Sequence, residues 1–291
     1  MYDKPEKECS NEMLPDFLVV GPPRTGTTWL HNLLSTHPSV FLPTGKQVHF
    51  FDKHFDKGSN WYKQHYQNAS PGTIKGEINP DYISSGQTLR RIHHTLPDVK
   101  LIMIYRDPTE RAFSHFKLRR RNNKGEDKSF SDSFARDPYL QKNSLYAHHL
   151  ISILRHFDSR QILILDFDAM VQKPKEMLTE LAAFIGVRED TSTIDIVAEP
   201  ASKSLPKARF LIIERLMILI AWLSKLILRY MGSNNLYSWA ERRFSDYKKW
   251  NSDTHVVADG TLSDEMLVII EDEIQEFREI IKREKITFWT I

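Results

Sequence analysis

The chain has 291 residues, enough for one large domain or two small ones around a substantial buried core. A composition of 41% hydrophobic and 27% charged residues is ordinary for a globular protein, and a net charge of +2 gives no basis for nucleic-acid binding by bulk charge. The single cysteine, Cys9, excludes a disulfide within the chain and argues against a cysteine-based metal site. At the N-terminus, MYDKPEKECSNEMLPD is charged and has no apolar h-region. Residues 1–15 therefore read as a flexible polar tail without a signal peptide, and the expected location is cytoplasmic. Next come four apolar runs with strand character: FLVV (17–20), TIKGEI (73–78), KLIMIY (100–105) and QILILDF (161–167). Helical patterns lie between and after them, over roughly 27–35, 87–95, 108–120, 143–157 and 174–185. Strand–helix alternation with near-continuous apolar strands predicts an α/β fold, a parallel sheet covered by helices on both faces.

The alternation covers about 16–190 and stops near Glu199. The remainder, about 200–291, reads as helices only and as part of the same single domain. It ends in SDEMLVIIEDEIQEFREIIKRE, where Ser263, Asp264 and Glu265 at the start and the late Lys and Arg suit capping and the helix dipole. Residues 208–230 form the most apolar stretch, but Glu214, Arg215, Lys225 and Arg229 interrupt it. It falls short of the roughly 18 apolar residues of a membrane span. It reads as a core helix, with peripheral membrane contact as the alternative. The basic runs RRIHH (90–94) and KLRRRNNK (117–124) read first as solvated surface.

The segment with most chemical content is GPPRTGTTWL (21–30), directly after FLVV. A strand, a glycine turn and a helix start aim backbone N–H groups at an anion. Counting from Gly21, Gly26 and Thr28 keep the spacing of a triphosphate-binding loop, but Thr27 stands where that loop carries Lys. The cation has moved to Arg24. A second string, YRDPTERAFSHF (105–116), follows KLIMI and begins a helix at Pro108. An Arg at a strand end and a hydroxyl from the next helix can converge on one phosphate.

Together these strings resemble the sulfotransferases that use 3′-phosphoadenosine 5′-phosphosulfate (PAPS). THPSVFLPTGKQVHFFD (36–52), WYKQHY (61–66), GEINPDY (76–82) and DFDAMVQKPKEMLTELAAFIGV (166–187) have counterparts there too. The resemblance is good over about 16–190 and loose beyond, resting there on the final helix and Trp289. It implies a P-loop-kinase-like parallel sheet flanked by helices, with a helical C-terminal section. It implies PAPS as co-substrate, with no metal required. It assigns Arg24, Thr25, Gly26, Thr27, Thr28 and Trp29 to the 5′-phosphosulfate, and Arg106 and Ser114 to the 3′-phosphate. The acceptor would be a hydroxyl, or an amine, of a glycan, lipid or small molecule.

Sulfuryl transfer needs a base for the acceptor proton and cations for the leaving phosphate. Heparan-type members resemble one another in using a Glu where this chain has Gln47, and an amide cannot act as a base. His49 and Glu77 are the remaining candidates, with Glu77 orienting His49 or touching substrate, and Arg24 stabilising the leaving group. Either could instead be structural. Lys46 is a candidate extra cation. Two competing readings are a nucleotide or nucleoside kinase, with Asp166 as its best Mg²⁺ position, and a nucleotide-binding relative that has lost catalysis.

Overall fold

The computed structural model describes residues 13–45, 47–121, 129–187 and 261–290. In chain order the elements are β1 (Phe17–Gly21), α1 (Thr27–Ser35), β2 (Val40–Phe41), α2 (Phe50–Lys53), α3 (Gly58–Lys63), β3 (Ile74–Ile78) and α4 (Gly86–Thr95). There follow β4 (Lys100–Tyr105), α5 (Pro108–Arg121), α6 (Phe130–Arg136), α7 (Pro138–Lys142), α8 (Tyr146–Leu154), β5 (Ile162–Asp166), α9 (Phe167–Gln172) and α10 (Pro174–Ile185). The described C-terminal part holds α11 (Asp264–Glu284) and β6 (Thr287–Trp289).

The strands form one sheet in the order β2-β3-β1-β4-β5-β6, and every neighbouring pair is parallel. Successive residues of a strand point to opposite faces, so an apolar strand feeds two cores at once. Leu18, Val20, Leu101, Met103, Ile162 and Ile164 face one core, shared with α4, α8 and α11. Phe17, Val19, Ile102, Ile104, Leu163 and Leu165 face the other, shared with α1 and α10. The central strand β1 is buried along its whole length. Its C-terminal end therefore opens at the middle of the sheet edge, where binding loops gather in open α/β folds.

The α/β layering agrees with the alternation of apolar runs and helical patterns. The chain's last strand, β6, adds an element to a region that reads as helices only. It pairs Thr287, Phe288 and Trp289 with Leu163, Ile164 and Leu165 of β5. At three residues it is too short to show a period. Helix α11 carries the chain back to the sheet: Phe277 is buried and stacks on Tyr105 with centroids 5.3 Å apart. Glu273 of α11 accepts from the Ala147 N–H at 3.0 Å, a carboxylate placed against the first turn of α8. Among the described residues no helix is long and apolar enough to cross a membrane. The expectations for most of the N-terminal tail, for Lys46, for part of the 117–124 run and for 208–230 lie outside the described residues.

Gly76 sits in β3 beside the ring of Phe17, and a Cβ there would lie 2.1 Å from a ring carbon. Gly76→Ala therefore forces two central strands apart. We expect a stability loss of roughly 1–3 kcal/mol, seen as a lower urea midpoint at unchanged m-value.

Candidate active site

The loop after β1 is shaped by close approaches. At Gly21, φ is +121° and a Cβ would stand 2.2 Å from the Pro80 carbonyl oxygen. At Gly26, φ is +89° and a Cβ would stand 2.8 Å from the Phe167 ring. Neither position admits a side chain. Thr25 is fully buried, and its hydroxyl donates to the Pro22 carbonyl at 2.7 Å, closing the turn from inside. Thr27, Thr28 and Trp29 form the first turn of α1, whose N–H groups face the N-terminal end of the helix. The Thr28 side chain is exposed there. The Trp29 indole is buried in the second core.

Arg24 adopts the left-handed region at φ +74°, a conformation that costs an L-residue roughly 1–2 kcal/mol. Three contacts hold this stretch. The Arg24 guanidinium donates to Ser114 Oγ from Nε at 3.2 Å and from an Nη at 3.0 Å. Arg106 donates to the Arg24 carbonyl at 3.2 Å. Arg111, fully buried, donates to the Pro23 carbonyl at 3.4 Å, the Leu140 carbonyl at 2.7 Å and Ser144 Oγ at 2.9 Å. Burial above all pulls the Arg111 pKa down to about 10, and the neighbouring Arg106 and Arg24 add to it. Three guanidinium groups thus crowd one corner of the sheet edge, a natural seat for a polyanion.

Arg24, Arg106 and Ser114, expected to serve two phosphates, are directly linked. Arg106 lies over the Phe167 ring at 4.5 Å, its N–H donates to the Tyr146 hydroxyl at 3.2 Å, and an Nη donates to Glu110 at 3.2 Å. Its Nε is buried with no hydrogen-bond partner. An anion arriving beside that group would remove an unsatisfied donor. Arg111, Tyr146 and Phe167 were not singled out by the sequence reading. Arg111 stands inside the RDPTERAFS string, and only its burial reveals that it braces the loop rather than binding a ligand. Asp166, the Mg²⁺ position of the kinase reading, caps α9 instead, accepting from the Ala169 N–H at 2.9 Å.

The second half of the site follows β3. Asn79 N–H donates to the Val19 carbonyl at 3.0 Å, so the residues after β3 lie beside the phosphate loop. His49 stands at the start of α2 with φ +57° and ψ +32°. Its Nδ1 is 2.9 Å from Asp52 Oδ2 and 3.2 Å from the Asn79 side-chain nitrogen. Both neighbours cannot be served at once. The carboxylate is nearer and charged, so Nδ1–H donates to Asp52, and Nε2 becomes the acceptor. Lys53 Nζ donates to Nε2 at 3.2 Å, and Gln47 Oε1 stands 3.2 Å from the same atom.

Glu77 lies deeper, 1% exposed. Its oxygens accept from the Tyr62 hydroxyl at 2.7 Å, the Tyr82 hydroxyl at 2.8 Å and the Val48 N–H at 3.1 Å. The His49 backbone N–H also bonds to it. Glu77 thus orients His49 through the main chain. Direct contact with substrate does not fit so enclosed a carboxylate. Asp52 and Asn79 are the partners of Nδ1, and FFD and NPD in the sequence gave no sign of it.

The comparisons agree with this architecture. The sulfotransferase domain family model matches residues 14–210. The chain belongs to the sulfotransferase domain family. It is 29% identical over 208 residues to the bifunctional heparan sulfate N-deacetylase/N-sulfotransferase 1 of Caenorhabditis briggsae, covering 64% of this chain and 24% of that protein. It is 30% identical over 186 residues to the heparan sulfate glucosamine 3-O-sulfotransferase 3B1 of Homo sapiens, covering 61% and 47%. The chain thus spans about a quarter of the length of the first of these relatives and about half of the second. Its fold is that of a sulfotransferase from Alicyclobacillus acidocaldarius, with a TM-score of 0.54 and 22% identity over 77% of this chain and 98% of the other.

Burial raises the Glu77 pKa, against the lowering effect of its hydrogen bonds. A carboxylate whose folded pKa lies above the unfolded value ionises first in the unfolded chain. Its contribution to stability is complete below about pH 4.3 and is lost as pH rises through the folded pKa. Urea titrations across that window should show this decline in the wild type, and Glu77→Gln should remove it.

Proposed function

We propose that the chain transfers a sulfuryl group from PAPS to a hydroxyl or amine of an acceptor, and that the acceptor is a glycan. The observation that carries the reading is the junction of Arg24, Ser114 and Arg106 at the mouth of a phosphate loop that has Thr27 in place of a lysine. A triphosphate with Mg²⁺ needs that lysine and an acidic metal ligand, whereas a 5′-phosphosulfate needs a short loop and a cation near the leaving oxygen. The heparan sulfate relatives support the glycan class.

In this reading Arg106 holds the 3′-phosphate with Ser114. Arg24 and the first turn of α1 receive the 5′-phosphosulfate. PAPS, when bound, supplies an electrophilic sulfur on a good leaving group. His49 takes the acceptor proton at Nε2 as the acceptor oxygen or nitrogen attacks sulfur. The bond from sulfur to the bridging oxygen breaks, and Arg24 stabilises the charge left on the phosphate. Asp52 holds His49 in the tautomer that leaves Nε2 able to accept, and its charge stabilises the imidazolium. Once protonated, Nε2 donates to Gln47 Oε1. The amide at position 47 then assists a histidine base instead of replacing a carboxylate one. A single domain from about residue 16 onward completes the proposal, supported by β6 joining the same sheet as the N-terminal strands.

Calorimetric titration should show binding of 3′-phosphoadenosine 5′-phosphate (PAP) and none of ATP–Mg²⁺. Arg106→Ala should weaken the bisphosphate roughly ten- to hundredfold, the range for hydrogen bonds to charged groups. Preference for ATP–Mg²⁺ would restore the kinase reading. In sulfation assays, His49→Ala should lower kcat by roughly 10²–10⁴-fold with bisphosphate affinity intact. Asp52→Asn should lower kcat with bisphosphate affinity intact. Unchanged kcat in His49→Ala would remove His49 as the base.

A further inference from the structure

Between the His49 side of the site and the Arg24 side stands a carboxylate with no assigned task. Asp81 comes two residues after Asn79, whose side chain meets His49, and directly after Pro80, whose carbonyl packs on Gly21. Its backbone N–H donates to Asn79 Oδ1 at 3.3 Å. The Tyr139 hydroxyl donates to Asp81 Oδ1 at 2.8 Å. The Tyr139 ring lies 5.1 Å from the ring of His115, the residue after the Ser114 that holds Arg24. Asp81, Tyr139 and His115 therefore form a continuous wall from one half of the site to the other.

The electrostatics of this wall are unusual. The neighbouring carboxylate Asp137 pairs with Arg119 and accepts from the Tyr139 N–H at 2.9 Å. Asp81 has no such cation: among the described residues no Lys or Arg pairs with it, and only one of its oxygens accepts a side-chain hydrogen bond. Tyr139 is 38% exposed, so the pair faces solvent at the mouth of the site. Burial, Arg111 and Arg24 pull the His115 pKa down to about 4, which leaves its ring neutral and unable to balance Asp81. Asp81 is the one ionised group of this wall and brings acceptor capacity for O–H and N–H donors.

Resting on the sulfotransferase reading, we propose that Asp81, positioned by Tyr139, contacts the acceptor and selects a hydroxyl-rich or amine-bearing sugar that carries few or no sulfate groups. A carboxylate accepts from sugar hydroxyls and pairs with an ammonium group. The same carboxylate repels an already sulfated chain. The cationic corner at Arg24, Arg106 and Arg111 is then kept for the nucleotide.

The test is calorimetry on the full chain saturated with PAP, using three tetrasaccharide probes: a chitosan oligosaccharide, a neutral cello-oligosaccharide and a heparin oligosaccharide. The expected result is binding of the amine-bearing or neutral probe at least about tenfold tighter than heparin. Asp81→Asn should weaken that probe about tenfold or more, the scale of a hydrogen bond to a charged group, with the bisphosphate still bound. Tyr139→Phe should give a smaller loss, and Asp81→Lys should shift the preference toward heparin. Heparin preferred by the wild type, an unaltered preference in Asp81→Asn, or binding of no probe by the bisphosphate complex would each overturn the proposal and leave the nucleotide site standing. Failure to bind the bisphosphate at all would instead overturn the sulfotransferase reading beneath it.

Discussion

The site depends on a backbone that is held where it would not stay by itself. Arg24 lies in the left-handed region, between Gly21 and Gly26, which have no room for side chains. One strained residue needs surroundings that over-determine it. Here the side chain is tied to α5 through Ser114, the carbonyl to Arg106 at the end of β4, and the preceding carbonyl to the buried Arg111. These anchors come from one stretch, residues 106–114, that follows the neighbouring strand. The parallel pairing of β1 with β4 is what brings that stretch beside the loop. The sheet order is thereby a condition of the chemistry, since a different neighbour for β1 would leave Arg24 unsupported.

Two carboxylates divide the work on the other side of β1. Glu77 is enclosed among Tyr62, Tyr82 and the backbone of Val48 and His49, where a charge is tolerated only because donors surround it. Asp52 is closer to the surface and meets the imidazole itself. The buried group sets where the segment 47–49 runs. The shallower one sets which ring nitrogen carries the proton. An exposed Glu77 would lose its donors to water, and a buried Asp52 could not stabilise a charge that appears at the mouth of the site.

How much of this was legible in the sequence follows from what each feature leaves as a trace. β1, β3, β4 and β5 are long enough to appear as apolar runs, and the parallel layering follows from their alternation with helices. β2 and β6, two and three residues long, exist because a neighbour pairs with them, and nothing local announces them. The phosphate loop and the Arg106–Ser114 string were readable because spacing along the chain is itself the constraint. Trp29 and Glu77 were harder. Residue type says that an indole or a carboxylate is present, but the direction of the side chain depends on packing between elements far apart in sequence. Asn79 was missed for the same reason, since it meets His49 across 30 residues, whereas Asp52, only three residues from His49, reaches it through the turn that opens α2.

The crowding of Arg24, Arg106 and Arg111 raises a question of balance, because like charges in a partly buried corner repel. Three local features keep the corner stable without a ligand. Arg111 is sealed among carbonyls and a hydroxyl that take up donors from both of its Nη groups, leaving its Nε without a partner. Arg106 rests on the face of Phe167, whose quadrupole attracts a cation. Arg106 also pairs with Glu110, whose side chain is 60% exposed. A pair that exposed contributes about 1 kcal/mol or less, so a phosphate can take the place of Glu110 at little expense. The corner is therefore balanced by a weak internal anion that a stronger external one can displace, and the same Arg serves both the resting fold and the bound state.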